Sequence, residues 1–139
     1  MLQFLLDTDH LTLFHHGHAA VGTKMAAQPA GTVGLAIVTA EEALRGRLAT
    51  LRQAQTGPQR ITRYSQLQET VELVNQFPIV PFDQTVESHF QQLWSLRLRV
   101  GTQDLKMAAV ARANRLTLLT RNRRDFGRIP GLGLDDWSV

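Results

Sequence analysis

Cysteine is absent from this chain of 139 residues, which excludes disulfide bonds and metal sites with thiolate ligands. The absence is compatible with a reducing compartment, and we expect a cytoplasmic protein. No apolar run approaches the ~20 residues that a membrane-spanning helix requires, so we expect no membrane segment. The opening MLQFLLDTDH has no basic start and reaches its first acid early, which indicates a strand and not a signal peptide.

Motifs for nucleotide binding and covalent catalysis are also missing. The glycines are scattered, and neither GxGxxG nor GxxxxGK(S/T) occurs, which argues against a nucleotide cradle. No Ser-His-Asp or Cys-His arrangement supplies a nucleophile. The histidines His10, His15, His16 and His18 cluster early, but H-H-x-H is not a standard spacing for zinc ligands. We interpret them as helix-end and surface residues.

The composition is that of a globular protein, with 43% hydrophobic and 19% charged residues, and the length predicts one domain over residues 1–139. The formal net charge is +3, and basic residues concentrate between Arg97 and Arg128, where only Asp104 and Asp125 oppose them. Such a stretch suits a polyanion held near an acidic centre, although a solvated Arg-rich surface is the commoner outcome. Alone, this feature barely favours a nucleic-acid partner.

Short apolar runs alternate with helical patterns along the chain. Strands are predicted at residues 2–6, 33–38, 79–80 and 116–119, with a last edge strand at Leu134. Helices are predicted before Gly17, at 18–28, 39–55 and 61–77, after Asp83, and at 102–114. The alternation predicts an α/β sandwich around a parallel sheet.

Four acidic residues fall where a predicted strand passes into a helix, or in the first turn of a helix. Because the carboxyl ends of parallel strands share one edge of a sheet, acids that are distant in sequence can converge there. Carboxylates so close together repel each other unless a cation holds them. A divalent metal site therefore explains this set economically: Asp7, Glu42, Asp104 and Asp125.

Each of these acids also has an ordinary local explanation. Asp7 or Asp9 could cap the first helix. Glu42 fits a capping box that begins at Thr39, and local reasoning does not choose between Glu42 and Glu41. Asp104 suits the first turn of any helix, because the helix dipole favours a negative charge there. Asp125 could lie in a surface turn beside arginines.

Carboxylate oxygens are the ligands that Mg2+ and Mn2+ prefer, and these ions need only a few protein ligands. Such ions polarise a phosphodiester, activate a water and stabilise the leaving oxygen. The acid set and the basic stretch together favour phosphodiester hydrolysis.

Three segments carry a resemblance to a known family: LLDTDHL (5–11), VTAEEALRGRL (38–48) and residues 100–137. Together they resemble PIN-domain proteins, and in particular the VapC-like toxin ribonucleases of bacterial toxin–antitoxin modules. The family pattern selects Glu42, four residues before Gly46, and places its other acids on Asp7, on Asp104 in G-x-x-D-L and on Asp125 in T-x-N-x-x-D-F.

The resemblance implies a three-layer α/β/α sandwich with a mainly parallel sheet of four to five short strands. It implies an endoribonuclease dependent on Mg2+ or Mn2+, in which the four acids hold the metal and the attacking water. Thr120 and Asn122 would orient water or phosphate. From the charge pattern we expect Lys106, Arg121 and Arg123 to contact the RNA backbone.

The expected partners follow from the same resemblance. Such toxins form homodimers, and a cognate antitoxin inserts a segment into the groove, gripped by a clip made of the helices at 39–55 and 61–77. Asp9 departs from the pattern, because many relatives carry Asn there. Lys106 also departs, since apolar residues are common beside the third acid.

Two other classes of protein compete with this interpretation. A phosphoacceptor receiver domain also has an acidic pocket at its strand ends, but it needs a lysine after a late strand. The only lysines here are Lys24 and Lys106, which makes that class a poor fit. A catalytically silent binding module of the same fold is the second alternative, and the intact acid set argues against it.

Overall fold

The computed structural model describes residues 1–139 as five short strands and seven helices. In chain order these are β1 (Phe4–Leu6), α1 (Thr8–His15), α2 (Ala19–Ala26), β2 (Val33–Ala36), α3 (Ile37–Arg52), α4 (Gly57–Val74), β3 (Ile79–Val80), α5 (Gln84–Ser95), α6 (Thr102–Ala113), β4 (Thr117–Leu119), α7 (Arg123–Phe126) and β5 (Leu134–Asp135).

The five strands form one parallel sheet in the order β3-β2-β1-β4-β5. Strand β1 is central, with Leu5 opposite Gly34 of β2 and Leu6 opposite Leu119 of β4. The chain first builds outward from β1 to β2 and β3, and it later crosses to β4 and β5. The strand order therefore reverses between β1 and β4, and the crevice at such a switch point is the usual ligand site of a parallel sheet.

Each face of the sheet has its own apolar core, because successive strand residues point to opposite faces. Leu5 and Leu118 belong to the cluster that includes residues of α5 and α6. Leu6 and Leu119 belong to the cluster that includes residues of α1, α2 and α4. The predicted α/β/α sandwich is therefore confirmed, and the sheet is parallel throughout.

Strand β2 approaches the chain at Pro78 too closely to carry a side chain at its second residue. A Cβ on Gly34 would lie 2.8 Å from the carbonyl oxygen of Pro78 and 2.9 Å from Cδ1 of Leu2. The neighbouring N–H of Leu35 donates to the same Pro78 carbonyl at 3.0 Å. Gly34 thus permits the close contact that starts the β2–β3 pairing.

Helix α3 begins at Ile37, two residues before the predicted start at Thr39. Its N-cap is Ala36, which makes no side-chain hydrogen bond, so the capping box expected between Thr39 and Glu42 is wrong. Glu42 lies in the second turn and is free for another role. The β-branched run 37–39 favours a strand by local propensity, and tertiary packing overrides that preference.

Residues Gly57 and Pro58, predicted to separate two helices, instead form the first turn of α4. Thr56 caps this helix by accepting a hydrogen bond from the N–H of Gln59 at 3.2 Å. Proline is tolerated there because an N–H in the first turn has no helical partner. Helices α3 and α4 form the expected pair, linked by a hydrogen bond of 2.9 Å from Arg47 Nε to Thr70 Oγ1. None of the helices is both long and apolar enough to span a membrane.

Candidate metal site

Asp7 directly follows β1 and faces the switch point of the sheet. Its N–H donates to the carbonyl of Leu119 on β4 at 3.1 Å, which fixes the backbone between the two strands. Its Oδ1 accepts the N–H of His10 at 2.7 Å, so Asp7 is the N-cap of α1. The side chain is buried, and no hydrogen bond uses Oδ2. Asp7 therefore combines a capping role with a carboxylate oxygen that is available to a ligand.

The segment after β4 holds Asp125 through a chain of hydrogen bonds. Thr120 Oγ1 accepts the N–H of Asn122 at 2.9 Å. Asn122 caps α7 by accepting the N–H of Asp125 at 3.2 Å, and its Nδ2 donates to Asp125 Oδ2 at 3.1 Å. No arginine forms an ion pair with Asp125, although such a pair was the local alternative. Thr120 and Asn122 thus orient the fourth acid.

Asp104 lies in the first turn of α6 and interacts with acids from two other elements. Burial raises the pKa of the Asp104 carboxyl, and the negative charges of Asp125 and Asp7 raise it further. Each acid at this point makes ionisation of the others less favourable. The structure therefore brings together the acids that follow β1, begin α6 and lie in α7.

Glu42 completes this group from α3. Burial raises the pKa of the Glu42 carboxyl, and the charge of Asp104 adds to the effect. Thr8 Oγ1 donates to Glu42 Oε1 at 3.5 Å, a long contact that joins the start of α1 to α3. The four acids predicted from sequence are thus electrostatically coupled, with Asp104 interacting with each of the other three.

Glu41, the local alternative to Glu42, is directed toward different partners. It accepts a hydrogen bond from Gln103 Nε2 at 3.0 Å and forms an ion pair with Arg45 one turn along α3. The hydrogen bond from Gln103 and the charges of Arg45 and Lys106 lower the pKa of the Glu41 carboxyl. The pKa values of Glu41 and Glu42 thus shift in opposite directions, and of the two only Glu42 is coupled to Asp104.

The donor set suits a hard divalent cation. Mg2+ and Mn2+ bind oxygen ligands and offset the negative charge of carboxylates that repel one another. These ions also keep several bound waters. The tightest group of three potential ligands is a different one, since atoms of Asp7, Asp9 and His10 lie within 4.8 Å of one another. Asp7 belongs to both groups of potential ligands.

His10 was not expected at the site, and its side chain is completely buried. Its Nδ1 lies 3.4 Å from Asp7 Oδ1, and its Nε2 accepts the N–H of Trp137 at 3.1 Å. His10 does lie in the first turn of α1, as a helix-end residue would, but its side chain is buried, so the predicted surface position is wrong. No sequence signal could reveal it, because its partner is 127 positions away.

The three predicted phosphate contacts differ in their environment. Arg121 forms a two-point ion pair with Asp9, at 2.6 and 2.7 Å, and the hydrogen bond to Asp9 raises the pKa of Arg121. Arg123 is exposed, Lys106 is partly buried, and neither makes an ion pair. Of the three predicted contacts, Lys106 and Arg123 therefore remain unpaired, and the charge of Lys106 acts on Glu41.

The fold and the site together place this chain among the parallel α/β/α proteins that carry an acidic ligand site at the switch point of the sheet. The PIN-domain family model matches residues 5–132, so the chain belongs to the PIN-domain family. The family resemblance seen in the sequence is thereby confirmed.

Several solved structures share this fold along nearly the whole chain. A DNA-bound VapBC from Salmonella typhimurium has a TM-score of 0.84 at 22% identity, covering 99% of both chains. VapBC-1 from nontypeable Haemophilus influenzae has a TM-score of 0.79 at 17% identity, covering 99% of this chain and 100% of that chain. FitAcB from Neisseria gonorrhoeae has a TM-score of 0.74 at 21% identity, covering 99% and 100%. At these identities the likeness establishes the fold. Comparison with curated protein sequences gave no match.

Proposed function

We propose that this PIN-domain protein is a metal-dependent endoribonuclease that acts as the toxin of a toxin–antitoxin pair. The observation that carries the proposal is the coupling of Glu42, Asp104, Asp125 and Asp7 at the switch point of the sheet. A catalytically silent module would have no need for four carboxylates whose mutual repulsion disfavours the folded state.

The four acids would hold Mg2+, with Mn2+ as a substitute, and Asp7 would contribute its free Oδ2. The chemistry supplied by such an ion is polarisation of a phosphodiester and a lowered pKa of water. Asn122 and Thr120 keep Asp125 in a fixed orientation through the hydrogen bonds described above. In the proposed function Thr120 and Asn122 would also orient a water or a phosphate oxygen.

The polyanionic substrate would be held by cations at the rim of the site. Lys106 follows Asp104 by two residues on α6, and Arg123 follows Asn122 directly. Both lack an ion-pair partner, so they can contact phosphates without first breaking a bond in the protein. The choice of RNA over DNA rests on the resemblance to VapC-like ribonucleases.

The proposed partners are a cognate antitoxin and a second copy of the chain, in a cytoplasmic setting. Among the solved relatives are a toxin–antitoxin complex from Klebsiella pneumoniae and VapBC-5 from Mycobacterium tuberculosis, a member of the VapBC family of toxin–antitoxin systems, and this chain covers 95% and 100% of those chains. On α4, the apolar residues Ile61, Tyr64 and Val71 are 74%, 59% and 43% exposed and recur at helical spacing. An apolar face of this kind on the α3–α4 clip suits the docking of a partner segment.

The decisive experiment is cleavage of diverse RNAs by the purified chain with Mg2+ or Mn2+, with and without EDTA. Asp7→Ala and Asp104→Ala should each lower the rate on the order of 100-fold or more, since a metal site supplies several kcal/mol and 1.4 kcal/mol is tenfold. Glu42→Gln should behave similarly, whereas Glu41→Gln, a matched control one residue away, should cleave like the wild type.

Unchanged cleavage in the Asp7 and Asp104 variants would show that the metal assignment is wrong. Equal losses in Glu41→Gln and Glu42→Gln would show that α3 contributes through stability and not through a ligand. Absence of cleavage across all RNAs, together with binding of an antitoxin, would favour the silent module.

A further inference from the structure

We propose that His10 is a positioning residue that fixes the carboxylate of Asp7, and that the C-terminal segment holds His10 in place. The inference rests on the proposed metal site, because it assigns His10 a role in orienting one of the ligands. Neither His10 nor Trp137 is among the site residues that the family resemblance names, and Trp137 lies after residue 132, where the family model ends.

The burial of His10 is the first step. Its side chain has no exposed surface, and a buried polar group is costly unless it is hydrogen bonded. Nε2 has a partner, since it accepts the backbone N–H of Trp137 at 3.1 Å. Nδ1 has no hydrogen bond within ordinary geometry, and the nearest carboxylate oxygen that it faces is Asp7 Oδ1 at 3.4 Å.

The tautomer follows from these contacts. A nitrogen that accepts a hydrogen bond carries no proton, so in neutral His10 the proton resides on Nδ1, the ring nitrogen that lies 3.4 Å from Asp7 Oδ1. Asp136 Oδ1 also lies 3.5 Å from Nε2, but it accepts the N–H and the hydroxyl of Ser138 at 2.8 and 2.6 Å. Nε2 cannot donate to Asp136 while it accepts from Trp137.

His10 therefore contacts one oxygen of Asp7 with both its backbone and its side chain. Its backbone N–H donates to Oδ1 at 2.7 Å, and its imidazole Nδ1 lies 3.4 Å from the same oxygen. The 3.4 Å separation is longer than an ordinary N–H···O bond, so Nδ1 acts on Oδ1 as a close electrostatic contact. Holding Oδ1 in this way leaves Oδ2, which makes no hydrogen bond, available to a cation.

The donor to Nε2 is itself rigidly anchored. Trp137 is buried, and its ring packs against Phe4 of β1 with centroids 4.9 Å apart. Further along the chain, Lys24 Nζ donates to the carbonyl oxygen of Val139 at 2.8 Å. The C-terminal segment thus reaches Asp7 through the imidazole of His10, which contacts Trp137 on one side and Asp7 on the other.

Two substitutions test the roles of the two ring nitrogens of His10 separately. An asparagine side chain can place an N–H donor near the position of Nδ1, but it does not reach the Trp137 N–H. A glutamine side chain can place an acceptor near the position of Nε2, with no donor toward Asp7. The matched controls are His89→Asn and His89→Gln, because His89 on α5 also has a buried Nδ1 without a partner and makes no contact with the site acids.

Binding of Mn2+, measured by calorimetry or electron paramagnetic resonance, is the main readout. We expect His10→Gln to weaken Mn2+ binding by about 10- to 100-fold, the usual cost of losing a group that orients a metal ligand. His10→Asn should stay close to the wild type. Hydrogen exchange of the Trp137 N–H should show the reverse order, with protection lost in His10→Asn and kept in His10→Gln. The His89 variants should change neither quantity.

A second readout requires no metal. Nitrogen-15 NMR of the wild-type imidazole should show the proton on Nδ1 and none on Nε2. A proton on Nε2 would overturn the inference, and so would equal Mn2+ affinities in the Asn and Gln variants. Failure of the wild type to bind Mn2+ through Asp7 would instead overturn the proposed metal-dependent function, and the NMR result would still decide whether His10 faces Asp7 as a donor.

Discussion

Arg121 and Asp9 form a two-point ion pair across the rim of the acidic site. Arg121 Nε donates to Asp9 Oδ2 at 2.6 Å and a terminal nitrogen donates to Oδ1 at 2.7 Å, joining α1 to the segment after β4. Their side chains are about half exposed, at 52% and 42%. The pair brings one positive charge close to an acid two residues from Asp7, and it occupies a guanidinium that the charge pattern assigned to RNA.

Asp9→Asn should release Arg121 for contact with phosphate. We expect tighter binding of single-stranded RNA in EDTA, with a salt dependence steeper by about 0.7 in the slope of log K against log salt, the value for one added phosphate contact. Fluorescence anisotropy with a labelled oligonucleotide across a salt series measures both. The melting temperature should change little, because exposed ion pairs add little stability.

Arg121→Gln supplies the control for that experiment. In the Asp9→Asn background it should abolish the gain in affinity and return the slope to its wild-type value. If the double variant keeps the gain, the effect comes from removing the repulsive charge of Asp9 and not from freeing Arg121.

The position of Asp7 is foreseeable from the order of strands and helices alone, because a residue that directly follows a strand lies at the carboxyl edge of a parallel sheet. Asp125 is less direct, since it lies in α7, beyond the end of β4, and Asn122 orients it through hydrogen bonds. Glu42 is different. Adjacent residues on a helix point about 100° apart, so the choice between Glu41 and Glu42 depends on how α3 packs against α1 and α6.

Contacts between the chain's two ends lie outside the reach of local patterns. The pairing of His10 with Trp137 and of Asp9 with Arg121 joins positions separated by 127 and 112 residues. Neither pair leaves a periodicity or a spacing in the sequence. The starts of α3 and α4 also differ from the predicted ones, because tertiary packing overrides the strand propensity of residues 37–39 and because proline is tolerated in the first turn of a helix that Thr56 caps.

Thr39 and Thr70 are both buried, and we expect their substitution by valine to change the free energy of unfolding in opposite directions. Thr39 is completely buried and its Oγ1 has no hydrogen-bond partner, so Thr39→Val should stabilise the protein by about 1 kcal/mol. Thr70 Oγ1 accepts from Arg47 Nε at 2.9 Å and donates to the carbonyl of Gln66 at 3.1 Å. Thr70→Val should therefore destabilise it by about 1–3 kcal/mol, because buried partners lose their bonds.

Urea unfolding monitored by tryptophan fluorescence measures both changes. A loss of stability in Thr39→Val similar to that in Thr70→Val would show that the Thr39 hydroxyl is hydrogen bonded in solution.

The pKa values of Glu42 and Asp104 couple the stability of the fold to pH. Burial raises both, and the neighbouring acids add to the effect. The folded protein therefore binds these protons more tightly than the unfolded chain, whose values are 4.5 for Glu and 3.8 for Asp. Stability contributed by the protonated forms is present at low pH and is lost as pH rises from the unfolded values through the higher folded ones. At neutral pH both carboxyls are ionised, and the full cost of holding these charges in the folded state lowers the free energy of unfolding.

Asp104→Asn removes one of these charges, so its melting temperature should exceed that of the wild type at pH 7 without cations, and the difference should shrink as pH falls through the raised folded pKa of Asp104 toward 3.8. Saturating Mg2+ should stabilise the wild type, by about 2.7 kcal/mol at roughly 100 times its Kd, and stabilise Asp104→Asn much less. Differential scanning calorimetry of both proteins, with and without Mg2+, tests this. A difference in melting temperature that is independent of pH would mean that Asp104 is not held in the folded state with a raised pKa. Equal stabilisation of both proteins by Mg2+ would place the ion away from Asp104.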